Sequence, residues 1–507
     1  MSSPLRVIAL LSVTGAAWCQ SPVLEIRLIS PLTSYGMPRG APFQSVITAP
    51  VNVDGRLVLP AGTVVHGTVR RAVGVGMGLV HERATIDLDF HEYELADGRR
   101  FPLRARLTSI DNARESVTEK GQIKGILAAS NPQSFITGLW TRPTGDIVGR
   151  SLAGLTGASG RLFTEFSMGP IGAAALFAAR LAIFRLPEPE IQLPPGTEMT
   201  AELTSLAEDA PAFAGDVPAE IPEDLDEWLQ NQPFIVKKPD GQIVSDIVNI
   251  AFIGSREQIL TAFTAAGWSQ PDRLSTRSFV RAYKAYTSQA GYAEAPVSKL
   301  LYLRDEPEFI FQKSLNTIAK RHHVRIWDAE LNGQTIWLGA ATQDNGIALS
   351  SRGTSFTHTI EPALDLERHK VLRDLGFAGC VESSGYVERE AAVRTADARN
   401  RVESDGGAAV VWLRDCAAAE PRADAPVMPR TPGSQLTRMA RRTLLETRQY
   451  LLRGNAYYWA YRGLRYGHQR ANAASQAASL VKSPTKSPRK SPNKSLTRPD
   501  LAAALLP

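Results

Sequence analysis

Four of the chain's eight histidines, His322, His323, His358 and His369, fall in one stretch that is also dense in charged residues. The run from His322 to Trp327 alternates and reads as a strand. His323, Arg325 and Trp327 then share one face, and His322, Val324 and Ile326 share the other. Val324 and Ile326 are expected to look inward, so His322 reads as a hydrogen-bonded core histidine. Phe356, His358 and Ile360 share a face on a later strand. Asp365 and His369, four apart on a helix, stack on one side.

Three chemistries fit these residues. In the first, the histidines satisfy internal hydrogen bonds and Arg325 pairs with Asp344 or Asp365 in a scaffold or ligand-binding protein. In the second, His323, Arg325, Trp327, Asp344, His358 and Arg368 form a polar pocket at the sheet edge. That pocket would bind a phosphate-bearing or other anionic envelope component, with Arg325, Arg368 and His323 as donors. The third is a metal-assisted hydrolase using His358, Asp365 and His369. The chain has no HExxH, GxSxG or Walker A signature, which weighs against an enzyme. The glycine run Gly74-Val75-Gly76-Met77-Gly78 lacks the strand–helix context of a nucleotide fingerprint and reads as a loop. No residue pattern names a cofactor or a catalytic group.

The elements that must position these residues form an α+β domain over residues 246–416. A strand opens near Asp246, and Ser255 with Gln258 forms a capping box ahead of a helix. A second helix covers about 276–287. Strands are expected at 297–303, around Phe309, from Lys320, from Gln334, at 347–350 and around His358. A helix starts near Asp365, and the last strands lie near Tyr386 and Val410. This pattern predicts helices packed on a mostly antiparallel sheet.

Residues 23–206 read as an all-β barrel or sandwich. Ile86, Leu88 and Phe90 alternate along one face, Pro60-Ala61-Gly62 makes a turn, and Asp97-Gly98 makes a tight hairpin. A Gly-rich helical insertion covers 117–187. Its apolar run Met168 to Phe184 is 17 residues long and contains Arg180. A spanning helix needs roughly 20 apolar residues, so a covering helix is expected ahead of a membrane contact. Residues 191–206 return to the barrel as a strand pair.

The termini differ in kind from the body. Arg6, an apolar run from Val7 to Val13 and Gly15-Ala16-Ala17 read as a signal peptide over residues 1–19. Trp18 argues against lipidation of Cys19. Export leaves Cys380 and Cys416, either as a disulfide or as two buried thiols. Residues 207–245 form an acidic, Pro-rich stretch expected as a linker, and 417–436 a second one. A helical basic segment (437–479) and a disordered tail (480–507) follow. From residue 430 onward 15 Lys or Arg face only Glu446 and Asp500, a net of +13, so the first 429 residues carry −7 of the chain's net +6. In the tail Lys482, Lys486, Arg489, Lys490 and Lys494 recur with Ser-Pro units, and the prolines forbid a regular helix. Such a tail suits an anionic lipid or acidic wall polymer, with other envelope proteins as further partners. Export argues against nucleic acid.

The blocks HHVRIW at His322, WLGAATQDNGI at Trp337 and FTHTIEPALDLERHKVLRDL at Phe356 resemble, in order, the LssY-like C-terminal domain over about residues 246–387. The resemblance implies association with the cell envelope, and no reaction, substrate or metal. The Leu59 to Val69 pattern and the helical insertion are similar to the barrels of conjugation and type IV secretion scaffold proteins. That likeness also implies an envelope location.

Residues 1–19 should be absent from the protein isolated from its native cell. N-terminal sequencing that begins near residue 20 is the expected outcome, and a start at Met1 or Ser2 refutes export.

Overall fold

The computed structural model describes residues 22–448 except 54–55, 129–186, 215–216, 238–243, 274, 289, 298–299, 350–355, 390–391, 395–400 and 418–432, together with Ala471. The expected signal peptide, most of the expected Gly-rich insertion with Met168 and Phe184, most of the expected second linker, and the tail with Lys482, Lys486, Arg489, Lys490 and Lys494 lie outside the described residues.

Alternating side chains close the first domain into a barrel. Its strands are β1 Val23–Leu28, β2 Pro42–Ile47, β3 Val64–Val73, β4 Thr85–Glu94, β5 Arg100–Ile110, the short β6 Ser116–Val117 and β7 Gln122–Lys124, and β8 Glu198–Leu206. The order β3-β2-β1-β8-β5-β4 is antiparallel throughout, and β3 also pairs with β4, which joins the two ends. Closure removes the sheet edges that would otherwise be open to association. Ile86, Leu88 and Phe90 all point into the core. The Phe90 ring meets Phe43 edge-on at 5.4 Å. Gly67 allows this contact, since a Cβ there would stand 2.3 Å from the Phe43 ring. Gly98, at φ 83, completes the expected hairpin between β4 and β5. The glycine run after β3 wraps a carboxylate of its own chain. Val75 and Gly76 donate their backbone N–H to buried Glu190 at 3.0 and 2.9 Å.

The second domain is a sheet covered on both faces. Its strands are β9 Ile250–Ile253, β10 Phe309–Ser314, β11 Arg321–Leu331, β12 Gln334–Leu349, β13 Phe356–Ile360, β14 Val381–Val387 and β15 Ala408–Leu413. They lie in the order β10-β11-β12-β9-β15-β14, with β13 against β12. Within this sheet β9 and β15 are parallel and the other pairings are antiparallel. The helices are α1 Glu223–Asn231, α2 Arg256–Ala265, α3 Thr276–Ser288, α4 Leu364–Phe377 and α5 Gln435–Arg448. Ser255 and Gln258 form the full capping box of α2. Ile259 and Phe263 of α2 and Val371 and Leu375 of α4 pack with Val324 and Ile326 on one face. Leu225 and Leu229 of α1 pack with Trp327 and Leu338 on the other.

Three expectations need revision. The described residues of 297–303 form no strand, and Tyr302 makes an isolated bridge to Asp305. The expected strands at Gln334 and at 347–350 are one strand, β12. The stretch expected as an acidic linker contains α1, whose acids face outward while Leu225 and Leu229 enter the sheet core. Its composition hid an amphipathic helix. The helical basic segment begins as α5, which buries Leu445 in the barrel core and pairs Arg441 with Glu188 at 2.7 Å.

The two domains meet through buried charge. Glu198 of β8 accepts from Lys313 at 3.0 Å, from Lys370 at 2.8 Å and from Arg27 at 2.8 Å. Asp374 of α4 accepts from Lys370 at 2.7 Å and Lys313 at 2.9 Å, and from the Trp268 indole at 3.1 Å. Burial alone would raise both carboxyls, but Lys370, Lys313 and Arg27 lower them, Glu198 well below the usual range. Beside them His322 spans the boundary. Its Nε2 reaches Asp111 after β5 at 2.6 Å, and its Nδ1 reaches Glu367 of α4 at 2.8 Å. Burial disfavours the charged imidazole, yet Asp111 and Glu367 outweigh it and push His322 up to about 9.

Glu198→Ala strips one shared carboxylate from Lys313, Lys370, Arg27 and Arg373, and it should cost ~3–5 kcal/mol in urea unfolding. The raised value of His322 stabilises the fold fully below its unfolded value of about 6.5, and this is lost as pH rises through about 9. The difference in stability between wild type and His322→Gln should therefore shrink between pH 6 and pH 10. A constant difference refutes the charged bridge.

Candidate functional site

Strand alternation places Arg321, His323 and Arg325 on the sheet face opposite Val324 and Ile326. Across the ladder, Arg321 is opposite Asp344 on β12. Asp344 is 3% exposed and sits at the centre. It accepts from Arg321 Nε at 2.8 Å and from His323 Nε2 at 3.2 Å. His358 Nδ1 approaches it to 3.4 Å without hydrogen-bond geometry. Arg325 Nη1 donates to Asp246 at 2.5 Å and to His323 Nδ1 at 3.2 Å. Because a guanidinium only donates, the His323 ring accepts at Nδ1 and donates from Nε2. The result is one continuous chain: Asp246, Arg325, His323, Asp344, Arg321.

Electrostatics follow from this packing. Burial pushes the Asp344 carboxyl up, but His358, His323 and Arg321 hold it well below the usual carboxylate range. His358 is lowered to about 4 by burial, and Arg321, His323 and Arg325 add to this against the pull of Asp344. It is therefore a neutral imidazole at pH 7, at the solvent edge of the cluster with 29% of its side chain exposed.

Of the expected pocket residues, His323, Arg325, Asp344 and His358 come together. Trp327 lies further along β11 in the apolar core, its indole donating to the Asp305 carbonyl at 3.1 Å. Arg368 stands apart at the start of α4, paired with Asp405 at 2.8 Å, Asp365 at 3.1 Å and the Gly407 carbonyl at 3.0 Å. The expected partners of Arg325, Asp344 or Asp365, give way to Asp246. The set His358, Asp365 and His369 is not assembled. Asp365 accepts from Arg368, Ser404 and the Asp405 N–H, and His369 points to solvent. Among the described residues no group of three His, Cys, Asp or Glu has the arrangement to hold a metal ion. A shallow cavity of about 380 Å³ lies beside Arg368 and is lined by Asp365, Glu403, Asp405, Ser404 and Arg394. Its acidity disfavours an anion.

Arg321 and Asp246 escaped the sequence reading. Period-two alternation would have found Arg321, two residues before His323. Asp246 had no such signal, because its partner is 79 residues away.

With this geometry in place, comparison with known families is decisive for one part of the chain. Residues 229–407 match the family model described as LssY C-terminus. The LssY-like domain therefore begins within α1, earlier than the motifs suggest, and includes the whole Asp246–Arg321 network. No curated protein matches the chain.

Asp344→Asn should strand the buried Arg321 and cost ~3–5 kcal/mol, whereas His358→Ala should cost under about 1 kcal/mol, because its half-buried neutral ring holds no hydrogen bond at Nδ1. Chemical denaturation of both variants checks the contrast.

Proposed function

We propose that the protein is an exported cell-envelope scaffold or binding protein. In this reading the LssY-like domain is the binding module and the barrel is fixed to it as one unit. The observation that carries it is the pairing of the domain's buried cations. Arg321 and Asp344, Arg325 and Asp246, and Arg368 and Asp405 neutralise each other. Groups locked in this way shape a domain more readily than they turn over a substrate, which favours a scaffold over a metal-assisted hydrolase. The ligand is read as an anionic or phosphate-bearing envelope component. The barrel's closed antiparallel form supports kinship with conjugation and type IV secretion scaffold barrels.

The described cysteines support export. Cys380 and Cys416 form a disulfide, with Cα atoms 5.1 Å apart. Such bonds persist in oxidising compartments. No helix of the described residues is long and apolar enough to cross a membrane. Attachment to an anionic surface is assigned to the basic tail, where each lysine near such a membrane contributes on the order of 1 kcal/mol.

Protein recovered from the envelope fraction should yield a peptide cross-linked through Cys380 and Cys416; two free thiols from that fraction would contradict export. The full chain should co-sediment with anionic vesicles in a salt-sensitive manner and a 1–480 truncation should not. Equal binding by both removes the tail from the proposal.

A further inference from the structure

Between β3 and β4 the barrel chain loops out through residues 74–84, and the apolar side chains at the tip of this loop face water. Met77, Leu79 and Val80 are 43%, 69% and 84% exposed. Single exposed apolar side chains are ordinary, whereas three within four residues make a local patch. The intervening Gly78 has φ 73. Its N–H donates to the Val75 carbonyl at 2.9 Å, which tightens the loop.

The far end of the chain holds this loop in place. Arg441 of α5 donates to the Gly76 carbonyl at 2.6 Å, to Glu188 at 2.7 Å and to buried Glu190 at 3.2 Å. One turn on, Leu445 is buried against Gly78, where a Cβ would stand 2.5 Å from the leucine side chain. A further turn on, Arg448 donates to Glu82 at 3.1 Å. Positions 441, 445 and 448 lie on one helical face. The helix therefore grips the loop on both sides and leaves Leu79 and Val80 exposed between its anchors. Clamped in this way, the loop cannot turn these side chains inward, and their exposure to water brings the fold no apolar burial.

The chain that emerges beside the patch indicates what covers it. α5 ends at Arg448, so the basic C-terminal region leaves the barrel at this loop. Residues 449–470 contain four arginines, five tyrosines, Trp459 and no acid. From 449 to 507 ten Lys or Arg face only Asp500. Tyr and Trp favour the boundary between hydrocarbon and headgroups, and Arg reaches from it to phosphate. An acidic wall polymer matches the charge but offers no apolar phase for Leu79 and Val80. A second copy of the chain would bring like charge to the same place.

We propose that the barrel end formed by the 77–80 loop and the last turn of α5 docks on an anionic lipid surface, with Leu79 and Val80 entering the headgroup layer. This rests on the reading of the protein as envelope-attached, and it adds an apolar contact to the electrostatic one assigned to the tail. One weak signal gives marginal, reversible membrane binding and two give stable attachment. Loss of the tail therefore still releases the chain, and loss of the loop contact weakens it.

The test uses the full chain with vesicles of phosphatidylglycerol and phosphatidylcholine, and with phosphatidylcholine alone as the neutral control. Co-sedimentation and amide hydrogen exchange are the readouts. Exchange at residues 77–80 should slow on the mixed vesicles and not on the neutral ones. The double variant Leu79→Ser, Val80→Ser alters exposed side chains only, so it should keep the wild-type Tm. It should bind about tenfold more weakly, the order that burial of one apolar side chain contributes. Equal affinity of wild type and double variant, with exchange at 77–80 unchanged, refutes the docking surface while tail attachment stands. Failure of wild type to bind the mixed vesicles refutes the docking surface and tail attachment together. A lipid-free dimer that the double variant breaks gives the patch to a second copy of the chain and overturns the lipid assignment.

Discussion

Glu198 is a barrel residue whose carboxylate is held mainly by the other domain. Lys313 and Lys370 come from β10 and α4, and Arg27 from the barrel itself. Such a cluster is stable only when complete, because each desolvated charge depends on the others for compensation. Lys370 also bridges to Asp374, which ties α4 internally and to the barrel at once. The position of α4 in turn sets Glu367 and therefore His322. One face of the LssY-like domain is thus shaped for the barrel, and the domains are joined by more than a linker.

The same strand serves two different ends. From β11, His322 turns toward α4 and the barrel, while His323 and Arg325 turn toward Asp344 and Asp246. Two adjacent histidines consequently have opposite roles. His322 is held charged between two carboxylates at the domain boundary. His323 relays a hydrogen bond between an arginine and a carboxylate inside the domain. Since both sheet faces are covered, by α2 and α4 on one side and α1 on the other, polar groups on either face must find partners within the protein. Arg321, Arg325 and Arg368 do so through carboxylates, and Arg389 through the Gly406 and Val248 carbonyls.

Local pattern was enough for much of this architecture. Alternation at Ile86, Leu88 and Phe90, the Asp97-Gly98 turn and the Ser255–Gln258 capping box each depend on residues a few positions apart, so the sequence determined them by itself. The two-sided pattern of β11 was legible for the same reason, as was the return of Glu198–Leu206 to the barrel, while Gln192–Leu193 pairs instead with Leu32–Thr33 in a separate ribbon. Composition misled where a helix used acids on its outer face, at Glu223–Asn231. Only the tertiary structure decided which charges meet. Arg325 chose Asp246 over Asp344, Glu198 drew lysines from another domain, and Arg389 was left with carbonyls alone. Side-chain pairing of this kind joins residues separated by tens to hundreds of positions, and it depends on burial, which no short stretch of sequence encodes.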